Sequence, residues 1–259
     1  MKKDNNTRWP ATPLPASAQV GNGLLGLLQS GSLTLEGMLP WSSNSTFLGR
    51  VTDGEQKALI VYKPIRGERP LWDFPRGTLA LREVAAYIIS QGLRWDFVPP
   101  TVLRDGPHGN GAVQLFVEVD QEAHFFTFHQ DPLYACALQQ MALFDVIVNN
   151  ADRKGGHCLG AGGGRVWAID HGVCFNVEPK LRTVIWDFAG QPIPVELTAD
   201  LARFQSDLSK ADCSTMRQLS ALLASKEISA LRMRLSALLA AGHFPEPPED
   251  RRPFPWPLV

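Results

Sequence analysis

The chain changes texture once, near Asp120, and that change bounds its fold more tightly than any other feature. From about Leu24 to Asp120 it reads mostly as short strands. Residues 45–51 and 57–63 flank Asp53-Gly54, a dipeptide that tolerates positive φ and closes hairpins. Residues 101–104 and 112–117 flank a second turn, Gly106-Pro107-His108-Gly109-Asn110-Gly111. One helix interrupts the strands. It begins near Thr78, carries Leu81, Val84, Ala85 and Ile88 at helical spacing, and is expected to stop by Gly92. After Asp120 helices dominate. The first, over 133–149, presents Leu138, Met141, Phe144, Ile147 and Val148 on a wide apolar face. Three more are expected over 198–208, 213–224 and 226–241, the last closed by Gly242 as a C-cap.

A β-rich front and a helical back predict an α+β fold of two lobes with a ligand cleft between them. The expected organisation is a flexible tail over 1–22, a front lobe over 23–118, a back lobe over 119–244 and a proline-rich tail over 245–259. Prolines 245, 247, 248, 253, 255 and 257 exclude helix and central strand from that last segment. Phe254 and Trp256 are its expected anchors on the body. With 259 residues, 44% of them hydrophobic and 20% charged, the chain can bury a core. A net charge of −1 gives no field for nucleic acid or an anionic membrane. Its apolar runs fall short of the roughly 18–20 residues of a membrane span, and its polar start lacks a secretory core. Cys136, Cys158, Cys174 and Cys213 form no CxxC pair, which argues against a disulfide framework and a zinc site. The expectation is a cytoplasmic protein without a transmembrane segment.

The chemistry concentrates in residues 144–172. A buried helix stops at Asn149-Asn150, and a polar loop, Ala151-Asp152-Arg153-Lys154-Gly155-Gly156-His157, follows. A short apolar segment, the turn Gly162-Gly163-Gly164 and the strand Val166-Trp167-Ala168-Ile169 lead to Asp170-His171-Gly172. Asp152 and Asp170 thus stand at element ends, with one hairpin between them to bring them together. Phosphoryl transfer needs a metal held beside nucleotide phosphates and a carboxylate to orient the attacking hydroxyl. Magnesium takes a few protein oxygens and completes its shell with phosphate.

Asn150-Ala151-Asp152-Arg153 followed by Ile169-Asp170-His171-Gly172 resembles the catalytic loop and metal motif of the phosphatidylinositol 3-/4-kinase-like proteins. These are an atypical branch of the protein-kinase-like fold. The chain is most similar to a small bacterial phosphatidylinositol-kinase-like group, and type II phosphatidylinositol 4-kinases are similar in the same segments. The resemblance spans roughly residues 30–190. There is no His-Arg-Asp triplet, Asp-His-Gly stands for Asp-Phe-Gly, and no Ala-Pro-Glu follows.

The resemblance implies a bilobal protein-kinase-like fold that binds ATP with Mg²⁺ or Mn²⁺ and transfers the γ-phosphoryl group to an alcohol. In that frame Lys63 contacts phosphates and Glu83 positions it. Asp152 orients the acceptor, and Asp170 binds metal. Ser43 and Ser45, in the small polar turn Ser42-Ser43-Asn44-Ser45-Thr46-Phe47, cover the phosphates. Glu118 and Val119 belong to the hinge that meets the adenine edge. One position departs from the family: five residues after the catalytic Asp, a metal-binding Asn is replaced by His157, whose imidazole suits magnesium poorly compared with oxygen, which is compatible with a changed metal such as manganese or with nucleotide binding at weak turnover. The acceptor, whether lipid headgroup, protein side chain or small molecule, is not legible.

Each residue also has a plainer reading. Asp152 could pair with Arg153, Asp170 could be a turn residue, Lys63 a solvated strand end, and Glu83 a solvated helix charge. His157 fits turn packing as well as a metal. Asn150 reads as the cap of its helix or as loop support, and His124 and His129 as parts of a packed aromatic segment. Trp72 and Phe74 are expected in a packed loop that overhangs the cleft. Three rivals to a kinase are a nucleotide-binding pseudokinase acting as a regulatory module, a transferase moving AMP on the same fold, and a structural protein. The last gives no reason for Lys63, Asp152 and Asp170 to occur in this order.

Overall fold

A computed structural model describes residues 22–39, 44–120 and 122–259. Residues 1–21 of the tail expected over 1–22, and Ser43 of the phosphate turn, lie outside the described residues, while Asn22 already belongs to a helix. The chain opens with α1 (Asn22–Ser30) and β1 (Ser32–Met38), then β2 (Phe47–Thr52) and β3 (Lys57–Pro64). After α2 (Leu79–Leu93) come β4 (Thr101–Gly106) and β5 (Gly109–Leu115). The five strands form one antiparallel sheet in the order β1-β2-β3-β5-β4. The β2–β3 hairpin turns where the sequence predicts. Gly54 adopts φ +100°, and the Asp53 carboxylate accepts the amides of Glu55 (3.0 Å) and Gln56 (2.7 Å).

Period-two alternation along β3 sorts the layers. Ala58, Ile60 and Tyr62 are buried on one face, with Val51, Val113 and the α1 leucines Leu27 and Leu28. Lys63 belongs to the opposite face, where α2 packs through Ala80 and Val84 against Ala112. The expectation of strands from Leu24 onward is corrected at α1. Gly23 and Gly26 weaken helix propensity there, but burial of Leu27 and Leu28 on the sheet overrides it. Gly92 does not stop α2 either. It lies inside the helix, where a Cβ would come within 2.5 Å of the Phe204 ring, and the left-handed Arg94 (φ +62°) is the cap.

The remainder is mainly helical: α3 (Phe125–Phe128), α4 (Ala135–Val148), the small hairpin β6 (Cys158–Gly160) and β7 (Val166–Ala168), then α5 (Val195–Leu208), α6 (Ser214–Leu222) and α7 (Ser225–Ala241). Leu138, Met141, Phe144, Ile147 and Val148 of α4 are fully buried and share one core with α2, α5 and α7. Gly162, Gly163 and Gly164 have φ of +74°, +58° and +79° and make the β6–β7 turn. Gly242 caps α7 at φ +66°.

The proline-rich segment docks by backbone rather than by its aromatics. Phe254 and Trp256 are exposed, whereas Pro255 is buried. The Pro253 carbonyl accepts Thr183 N (3.0 Å) and Trp186 Nε1 (3.3 Å), and the Leu258 carbonyl accepts Gly155 N (2.7 Å). No helix among the described residues is long and apolar enough to cross a membrane.

Candidate active site

Strand alternation directs Lys63 toward α2, and helix α2 presents Glu83 to it. The two form a partly buried ion pair, and the same ammonium lies 3.2 Å from Asp170 Oδ1. The second Glu83 oxygen accepts the backbone N–H of His171 at 3.0 Å. One carboxylate therefore ties the sheet to the segment that carries Asp170. Asp170 itself adopts φ +63°, a conformation that costs a non-glycine residue about 1–3 kcal/mol and persists only when its surroundings impose it. The Lys63 charge holds the Asp170 carboxyl well below the usual carboxylate range, against the effect of burial. Burial alone would lower the Lys63 ammonium; Asp170 and Glu83 more than offset it and keep it charged. Burial pushes the Glu83 carboxyl up, with Lys63 opposing.

The loop with Asp152 is built on a buried charge network. Helix α4 ends in left-handed Asn149 (φ +52°), whose amide donates to the carbonyls of Asn176 (2.8 Å) and Glu178 (2.7 Å). Asn150 accepts Asp152 N (3.0 Å) and donates to Asp145 (2.9 Å), so it supports the loop. Beneath lies Arg153, fully buried and forked onto Asp145 at 2.9–3.1 Å. Arg153 also donates to the Ile169 carbonyl (3.0 Å) and to His171 Nε2 (2.7 Å). That contact makes Nε2 the acceptor and places the neutral imidazole's proton on Nδ1. Burial, reinforced by Arg153, holds His171 far below its ordinary value and therefore neutral. Asp152 is left free of Arg153 and pairs instead with Lys154 Nζ (3.2 Å). Burial raises its carboxyl above the ordinary value, with Lys154 opposing.

A cleft of about 210 Å³ collects Lys63, Glu83, Asp152, Lys154, His157 and Asp170. Its far wall is Asn44, Ser45 and Thr46, from the turn between β1 and β2. Glu68 also lines it and accepts Ala80 N (2.9 Å) at the start of α2. Glu118 and Val119 follow β5 and do not line this cleft. In the loop before α2, Phe74 is buried but Trp72 is 92% exposed, with Lys180 Nζ 4.9 Å from its ring, so Trp72 is not packed as expected. Sequence reasoning missed Lys154, Glu68 and the Arg153–Asp145 pair. Lys154 carried a signal, two residues after Asp152 in a polar loop.

His157 tests whether a divalent metal fits. Burial lowers its pKa to about 4, so it is neutral near pH 7. Its Nδ1 lies 3.0 Å from the Asp152 carbonyl and 3.5 Å from Lys154 N; the shorter contact assigns the Nδ1 proton to the carbonyl. Nε2 then turns a lone pair toward Asp170 Oδ2 at 3.4 Å. Two acceptors facing each other make a donor set for a cation. Among the described residues no three His, Cys, Asp or Glu side chains converge, so phosphate or water oxygens would complete the shell.

No family model matches the chain. Three solved structures share its fold at low identity. Hydra Fam20 with sugar aligns with TM-score 0.56 and 16% identity, over 84% of this chain and 86% of that one. The Golgi casein kinase with Mn/ADP bound gives 0.55 and 15%, over 84% and 74%. The Helicobacter pylori proinflammatory kinase CtkA gives 0.51 and 11%, over 84% and 94%. The chain therefore has the bilobal kinase-like fold. Phosphatidylinositol 4-kinase gamma 4 of Oryza sativa subsp. japonica is 26% identical over 204 residues, 64% of this chain and 36% of that protein. Protein Rv2133c of Mycobacterium tuberculosis is 40% identical over 264 residues, 89% of this chain and 94% of its own. On that extent of shared sequence, the chain belongs to the family of Protein Rv2133c.

Proposed function

We propose that the protein is an ATP-dependent phosphotransferase of the atypical, phosphatidylinositol 3-/4-kinase-like kind, which transfers the γ-phosphoryl group to an alcohol. The observation that carries this reading is Lys63 bridging Glu83 and Asp170 in a cleft that also holds Asp152. The rice phosphatidylinositol 4-kinase relative supports the lipid-kinase-like branch.

Residues 23–118 form the nucleotide-side lobe and 119–244 the acceptor-side lobe in this reading. The Lys63 ammonium neutralises phosphate oxygens while Glu83 fixes its position. Ser43 and Ser45 offer hydroxyls and amides from the β1–β2 turn, and Glu118 and Val119 offer backbone to adenine. Asp152 accepts a hydrogen bond from the acceptor hydroxyl and orients it toward the γ-phosphorus. A raised carboxyl suits that task, because it takes the proton more readily as the O–P bond forms. Lys154, paired with Asp152, lies where it can meet charge on the transferred group. Asp170 and His157 would hold Mg²⁺ or Mn²⁺, which supplies charge neutralisation of the phosphates when bound.

The test is turnover by the purified protein with ATP and either metal, following ADP, AMP and phosphate separately against lipid, protein and small-alcohol acceptors. ADP should form, and Asp152→Asn should cut its rate by about 10²–10⁴, the usual worth of a positioned base. Pyrophosphate released with AMP joined to the acceptor, read from the acceptor's mass, would overturn the reading in favour of nucleotidyl transfer. Binding without turnover on any acceptor class would overturn it in favour of a pseudokinase.

A further inference from the structure

Arg82 and Glu227 form an ion pair between α2 and α7 that the proposed chemistry does not use. Arg82 is 1% exposed, and its guanidinium is occupied on all sides. Nη2 meets Glu227, Nη1 donates to the Cys174 carbonyl, and Nε donates to Thr78 Oγ1 at 3.2 Å. The group also lies over the Phe74 ring, 4.9 Å from its centroid. Glu227 accepts Ala224 N (2.8 Å) at the start of α7, so its carboxylate is fixed too.

The next residue on α2 is Glu83, which joins Lys63 to the His171 amide. One helical turn is thus tied to β3, to the loop before α2, to the segment after Asp170 and to α7. The far end of α2 is held as well. Arg203 donates to the carbonyls of Gly92 (3.1 Å) and Leu93 (2.7 Å). Tilting α2 away would leave a guanidinium and a carboxylate buried and unpaired, the costly outcome for charges inside a protein. Apolar residues of similar size would give comparable stability. What a forked guanidinium adds is direction: it fixes where α2 sits against its neighbours.

We propose that the Arg82–Glu227 pair is a positioning device that locks α2 onto α7 and the segment after Asp170, so that Glu83 holds Lys63 beside Asp170 before any ligand arrives. The functional consequence rests on the phosphotransferase reading; the locking itself does not. Neither residue touches the cleft, so both act through Glu83.

The experiment compares full-length wild type with Glu227→Gln and Arg82→Lys, and with Leu235→Ala as a control. Leu235 lies on the same helix, 1% exposed, and its truncation destabilises α7 without touching the pair. The first readout is amide hydrogen exchange at His171 and along α2. The second is the split between KM for ATP and kcat. Exchange at the His171 amide should rise about tenfold in both pair variants beyond the control, equal to 1.4 kcal/mol of local opening. KM for ATP should rise about tenfold, with a smaller change in kcat, because Lys63 meets phosphates in the ground state. Leu235→Ala should lower the thermal midpoint without either effect. Exchange no faster than in the control overturns the proposal, as does faster exchange with unchanged KM in an active enzyme. Wild type that binds no ATP would remove the phosphotransferase reading, and the exchange result would then decide the lock by itself.

Discussion

Asp145→Asn probes the foundation of the catalytic loop, because it removes one charge and almost no volume. In the wild type, Arg153 and Asp145 are both fully buried and joined by three contacts of 2.9–3.1 Å. Asp145 also accepts Asn150 Nδ2 (2.9 Å) and Thr183 Oγ1 (3.2 Å). Neutralising it leaves a buried guanidinium without a counter-charge. Breaking such a pair from one side costs about 3–5 kcal/mol. For a chain of this size each kcal/mol lowers the midpoint by roughly 2–4 °C, so a loss of about 10 °C is expected. Urea unfolding at constant m gives the free energy directly. The Asp145→Leu, Arg153→Met double variant removes both charges and should cost clearly less than the sum of the singles. An Asp145→Asn cost under about 1 kcal/mol, or a double cost equal to the sum, would refute the argument that the loop stands on a charge pair.

Further outcomes follow from other contacts. Gly92→Ala places a methyl 2.5 Å from the Phe204 ring in a closed helix–helix contact, and should cost about 1–3 kcal/mol in chemical denaturation. Asn149→Ala removes the side chain that holds Asn176, Glu178 and Lys180 and puts alanine at φ +52°; a loss of about 2 kcal/mol is expected, with faster proteolysis after residue 176. His157→Asn exchanges an imidazole for an amide oxygen, and the ratio of magnesium- to manganese-supported turnover should rise.

Much of the site was legible because its residues sit where local signals are strong. Asp152 and Asp170 follow a helix end and a strand end, and the intervening hairpin is marked by three glycines. Lys63 and Glu83 were legible only through the resemblance, which asks for a strand lysine followed by a helix glutamate; alternation along β3 is what turns Lys63 toward α2. What escaped was tertiary. The α1 helix reads as weak because Gly23 and Gly26 interrupt it, and only the sheet beneath Leu27 and Leu28 decides the matter. Gly92 looks like a stop, yet serves Phe204, which is 112 positions away. The partners of Arg153 and Arg82, Asp145 and Glu227, carry no local mark that separates them from solvated helix acids. The final segment was expected to dock through Phe254 and Trp256, but the contacts are carbonyls of Pro253 and Leu258, which no side-chain pattern announces.

The proposed function stands on a metal-assisted nucleotide site around Lys63, Asp152 and Asp170. Calorimetric titration of ATP into wild type and Asp170→Ala, with and without Mn²⁺, tests it most directly. The expected result is metal-dependent binding by wild type and a loss of that dependence in Asp170→Ala, with both proteins folded by circular dichroism. Absence of ATP binding by wild type under either metal, or equal metal-dependent binding by Asp170→Ala, would contradict it.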